Sequence, residues 1–184
     1  MTLSYRRVLA ALSTAAVLST AALACSTSGG KSMNESLTSE LSMNRTIEYL
    51  EQSVSALPAG ARLDRVHPEL QADMTFGGFK PCYDSNAVVD GPEYFGAGYW
   101  VVDGGDGQAG LKTLVARWQE WGWTVDDATV DGGNSARGTS SDDYLLSAKI
   151  SSNGFLSLTG SSPCFPFENG TDLDAQAPGV IEQP

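Results

Sequence analysis

Between Tyr144 and Thr159 the chain alternates apolar and polar residues on either side of a glycine-bearing turn. No other stretch constrains the fold as tightly. Tyr144, Leu146, Ala148 and Ile150 fall on one face of the first half, and Leu156 and Leu158 fall on one face of the second. This two-residue period is that of half-buried strands. The turn length decides whether the two apolar faces agree. A two-residue Asn153-Gly154 turn would set Ile150 opposite Ser157 and mix the faces. A three-residue loop, Ser152-Asn153-Gly154, sets Ile150 opposite Leu156 and Ala148 opposite Leu158, and it puts Gly154 where a left-handed residue is required. Register follows burial, so the three-residue loop is expected. The resulting antiparallel sheet needs a cover on its apolar side.

Two amphipathic segments can supply that cover. Leu37, Leu41, Ile47, Leu50, Val54 and Leu57 recur at helical spacing, with Ser36 or Thr38 able to cap the start and Pro58 and Gly60 ending the run. Leu111, Leu114, Val115, Trp118 and Trp121 form a second stripe over residues 108–121, and Gly122 follows as a left-handed cap. Residues 94–102 form a central strand, with Tyr99 and Val101 on one face and Trp100 and Val102 on the other. Weaker strands are expected at 63–66, 74–79 and 123–125, and residues 131–143 read as a polar loop. The expected fold is α+β: an antiparallel sheet of about four strands with both helices packed on one face.

The N-terminus is a separate unit. Arg6 and Arg7 precede an uncharged run from Val8 to Leu23, the length of a signal-peptide core and short for a bilayer span. The run ends Ala22-Leu23-Ala24-Cys25, which resembles the lipobox of bacterial lipoproteins. That pattern prefers Leu, Val or Ile three residues before the cysteine; here Ala22 occupies the place and Leu23 stands one position later. The resemblance implies cleavage before Cys25, a diacylglyceryl group on its sulfur and acylation (palmitate-type) of the new N-terminus. The residues alone also fit an ordinary secretory signal cut after Ala24, or an uncleaved anchor helix. The expected organisation is a signal peptide over 1–24, a flexible tether over 25–36, a single domain over 37–167 and a disordered tail over 168–184.

With Cys25 taken by lipid, Cys82 and Cys164 remain, and an exported chain with an even remainder is expected to pair them. A free or redox-active pair is the rival reading, and no Cys-x-x-Cys spacing supports it. Loss of residues 1–24 takes the net charge from −11 to −13. That disfavours nucleic acid and anionic headgroups as partners. The lipobox, the cysteine pair, the segment WQEWGWTV (118–125) and the hairpin ending Gly160-Ser161-Ser162-Pro163-Cys164 together resemble small envelope lipoproteins of actinobacteria. The resemblance implies a location on the extracytoplasmic face of the cell membrane and no activity.

Catalytic motifs are sparse. His67 is the sole histidine, and no Gly-x-Ser-x-Gly elbow exists. Asp126 with Asp127, and Asp142 with Asp143, are the adjacent carboxylates a hydrolase could draw on. Asp103-Gly104-Gly105-Asp106-Gly107 offers oxygens for calcium but lacks the twelve-residue loop with its terminal Glu, and reads as a turn. No cofactor or metal set is expected. The sequence is therefore read as a non-enzymatic accessory or interaction protein, with partners in the envelope. The alternative is a carrier of lipid or another apolar ligand, held among Trp100, Trp118 and Leu146.

Overall fold

A computed structural model describes residues 33–74, 77–83, 91–127, 133–168 and 177–184. The signal peptide, Cys25 and most of the tether lie outside the described residues. Helix α1 (Ser39–Ser55) is followed by β1 (Arg62–Asp64), β2 (Val66–His67), β3 (Ala72–Asp73), β4 (Gly77–Pro81) and β5 (Glu93–Val102). Helix α2 (Gly107–Glu120), β6 (Thr124–Asp127), β7 (Ser135–Thr139), β8 (Leu145–Ile150), β9 (Leu156–Ser161) and β10 (Val180–Ile181) complete the order. The fold is α+β, with two helices and a mostly antiparallel sheet.

Among the described residues the sheet has eight strands rather than about four. They run β10-β1-β5-β9-β8-β7-β6, with β4 also beside β5. One edge of β5 pairs with β9. Its other edge is shared, β4 taking Glu93 to Ala97 and β1 taking Trp100 to Val102. The β8–β9 hairpin has the expected register, Ile150 opposite Leu156 and Ala148 opposite Leu158. Gly154 takes the left-handed φ of 85° that its three-residue loop requires.

The largest addition is β7, inside the stretch expected to be a polar loop. Its inward positions are Ala136 and Gly138, opposite Ala148 and Leu146. Gly138 has no room for a side chain because two indoles occupy the space above it. A Cβ on Gly138 would lie 2.8 Å from Cε3 of Trp118 and 3.0 Å from Cε3 of Trp123.

Both helices lie on the face carrying Tyr99, Leu146, Ala148 and Leu158. Thr38 caps α1 by accepting from the Leu41 N–H, and Asp106 caps α2 by accepting from the Ala109 N–H. The buried face of α1 differs from the expected stripe. Ser39, Ser42, Thr46, Tyr49, Leu50, Ser53 and Val54 are buried, while Leu41 is 55% exposed. The helix approaches Gly160 closely, within reach of Thr46 and Leu50. Small residues permit that approach, and their hydroxyls turn back on the helix: Ser42 Oγ donates to the Ser39 carbonyl and Thr46 Oγ1 to the Ser42 carbonyl.

Two boundaries also move. Met33 bridges Cys164 and the Asn34 N–H donates to the Cys164 carbonyl, so residues 33 and 34 already belong to the domain. The expected disordered tail is structured over 177–184. Val180–Ile181 pairs with β1, and Ile181 and Ala177 are buried. The Gln183 amide donates to the Val54, Leu57 and Pro58 carbonyls, tying the C-terminal segment to the end of α1 and the turn after it.

Candidate functional site

The sheet separates the three residues expected to hold an apolar ligand. Trp118 and Leu146 are fully buried beneath the helices. Trp118 stacks on Trp123 with ring centroids 6.1 Å apart, and its Nε1 donates to Ser53 Oγ at 3.1 Å. Trp100 points the other way. Its neighbour Tyr99 sits opposite Leu158 in the core, so Trp100, opposite Ser157, faces the far side, where its Nε1 donates to the Ala72 carbonyl at 3.0 Å. The alternation of Tyr99 and Trp100 is legible in the sequence, but the packing of α2 on the Tyr99 side is what parts Trp100 from Trp118.

A pocket of about 220 Å³ opens instead at the C-terminal end of β5. His67, Glu69, Asp103 and Phe155 contribute to its wall. The β2–β3 hairpin carries His67 there. The imidazole is 4% exposed and lies between Phe155, 4.3 Å away centroid to centroid, and Trp100, 5.6 Å away. Its Nδ1 accepts the Glu69 and Leu70 N–H groups at 3.2 and 3.3 Å. That nitrogen is therefore committed to the local turn and is not available as a base. Asp103 pairs with Arg62. No hydroxyl or thiol side chain lines the pocket. The volume falls below the roughly 300–1,000 Å³ of ordinary small-molecule sites.

Asp142, one of the candidate catalytic carboxylates, belongs to a polar network that sequence reading missed. It accepts the Tyr49 hydroxyl at 2.7 Å and the Ser140 hydroxyl at 2.6 Å, and Arg45 lies 3.4 Å away. Burial alone would raise its pKa. The hydrogen bonds from Ser140 and Tyr49 and the charge of Arg45 outweigh that and hold it below the usual carboxylate value. A glycosidase acid needs the opposite shift. The network ties α1 to the turn before β8. Asp106, from the candidate calcium loop, serves as the α2 cap, and no group of three metal-ligating side chains occurs among the described residues.

The third region is the end of the domain where the chain departs toward Cys25. Cys82 and Cys164 form a disulfide there, with Cα atoms 6.3 Å apart. Met33 pairs with Cys164, Glu93 with Phe165, and the Glu168 carboxylate accepts both the N–H and the hydroxyl of Ser39 at the start of α1. Glu93 is pushed above the usual carboxylate value by burial and, secondarily, by the charge of Glu168, and its Oε2 has no hydrogen-bond partner.

The side of β6–β9 turned from the helices bears Thr124, Arg137, Ser147, Lys149, Ser157 and Thr159, all exposed or half-buried. Asp126 lies on the same face, opposite Arg137, so the face carries hydroxyls and charges of both signs.

No protein-family model, curated protein or solved structure matches this chain.

Proposed function

We propose that the chain is a lipid-tethered protein of the extracytoplasmic side of a bacterial cell membrane, of the actinobacterial type, that acts as a non-enzymatic accessory by presenting a surface to another envelope protein. The observation that carries this reading is a filled core beside a sheet face that no described element covers over β6–β9. Trp118, Leu146, Leu158 and Tyr99 have no exposure at all, so the helix side encloses protein rather than cargo. The face bearing Arg137 and Lys149 is left to solvent or a partner. The lipid-carrier reading loses its support with the separation of Trp100 from Trp118 and Leu146. A nucleophilic hydrolase would need a hydroxyl or thiol beside its base, and no such side chain lines the His67 pocket.

Native mass spectrometry of the full protein, extracted from its own envelope in mild detergent, tests the proposal. A second polypeptide in fixed ratio is the expected result. A stoichiometric apolar small molecule, beyond the acyl chains on Cys25, would overturn it in favour of the carrier.

A further inference from the structure

Among the described residues, five large apolar side chains are exposed: Met33, Leu41, Val66, Tyr83 and Val180. Three of them stand on chain segments that meet at one end of the domain. Met33, 46% exposed, is bridged to Cys164. Tyr83, 52% exposed, follows Cys82, the disulfide partner of Cys164. Leu41, 55% exposed, lies two residues after Ser39, which Glu168 holds to the segment just past Cys164. This is also the end from which the chain departs toward Cys25.

Met33 lies eight residues after Cys25. Fully extended, that segment reaches at most about 29 Å. As a Gly/Ser-rich coil its typical span is about 14–17 Å. Strand β5, ten residues long, runs from Glu93 at this end to Val102 at the other, about 30 Å away. A tether this short cannot let the far end approach the bilayer as readily as the near one.

We infer that Met33, Leu41 and Tyr83 form a membrane-contacting patch that seats this end of the domain on the bilayer. The inference rests on the lipid anchor at Cys25 proposed above. The occupant is the interfacial zone of the membrane holding the acyl chains. An exposed Tyr beside Met and Leu suits that zone, where amphipathic rings settle. The net negative charge of the chain disfavours anionic headgroups. The sheet face with Arg137 and Lys149 is then left clear of the membrane and open to a partner.

The test uses the full lipidated protein in phosphatidylcholine vesicles. A photoreactive benzophenone side chain replaces Tyr83, Leu41 or, as a control past the other end of β5, Gln108. Flotation is scored first, then lipid adducts by mass spectrometry after illumination. Adducts at positions 83 and 41, with at least tenfold fewer at 108, are expected. A protein that floats but gives no adducts at 83 and 41, or equal adducts at all three positions, overturns the seating while leaving the anchor intact. A protein that does not float overturns the anchor, and the seating with it.

Discussion

Gly138→Ala is the most informative single change in the core. The new Cβ would sit 2.8 and 2.9 Å from two carbons of the Trp118 indole and 3.0 Å from the Trp123 ring. Carbon atoms prefer about 3.5–4.0 Å, so relief needs a ring shift approaching 1 Å. Trp118 has little freedom to give it, being fully buried with its Nε1 bonded to Ser53 at 3.1 Å. Weakening that bond costs about 1 kcal/mol, and an off-rotamer indole costs about 0.5–1.5 kcal/mol. Against this, replacing Gly lowers the entropy of the unfolded chain, a gain of about 0.4–1 kcal/mol. The net is a loss of about 1–2 kcal/mol, within the range for overpacked cores. In a domain of this size that lowers Tm by roughly 3–8 °C. Urea denaturation followed by tryptophan fluorescence measures it. Gly179→Ala is the control, because nothing lies within 4 Å of a Cβ there and its φ is not left-handed. It should be neutral or slightly stabilising. A Gly138→Ala protein as stable as wild type would refute the close stacking of the indoles on β7.

Three further outcomes follow from the same geometry. Replacing Cys82 and Cys164 together with Ser opens a loop of sequence separation 82, and the chain-entropy relation gives a loss of about 4–5 kcal/mol, checked by urea titration of the double variant. Glu93 has its folded pKa raised above the ordinary 4.5, first by burial and then by Glu168, so its ionised form costs stability at neutral pH and that cost vanishes as the pH falls through the folded value to 4.5. Glu93→Gln should therefore raise Tm at pH 7 and leave it unchanged near pH 4; a lowered Tm at pH 7 would contradict this. His67→Ala removes a ring packed between Phe155 and Trp100 and the acceptor of two N–H groups, and should cost about 1–3 kcal/mol in thermal or urea unfolding.

Where the sequence carried a burial pattern, the fold was legible. The β8–β9 register followed from Ile150, Leu156 and Leu158 alone, and α2 from Leu111, Leu114 and Trp118. Where close packing selected small residues, the pattern was hidden. β7 reads as a loop because its inward positions are Ala136 and Gly138. α1 buries Ser42 and Thr46, whose hydroxyls bond its own backbone, so half of its core face resembled surface. The C-terminal strand was missed because Ile181 is a single anchor and Gln183 works through a cap to α1 far away in sequence. The same long-range character hid the link between Asp142 and Arg45. Strand alternation put Trp100 and Tyr99 on opposite faces, but only the packing of α2 on the Tyr99 side parts Trp100 from Trp118.

The tether at Cys25 underlies both the proposed function and the seating of the domain. Its most direct test is the intact mass of the protein extracted from cell membranes, with and without reduction before alkylation. The account predicts a chain starting at Cys25 that carries acyl and diacylglyceryl mass, with Cys82 and Cys164 alkylated only after reduction. A chain retaining residues 1–24, or one starting at an unmodified Cys25, would contradict it.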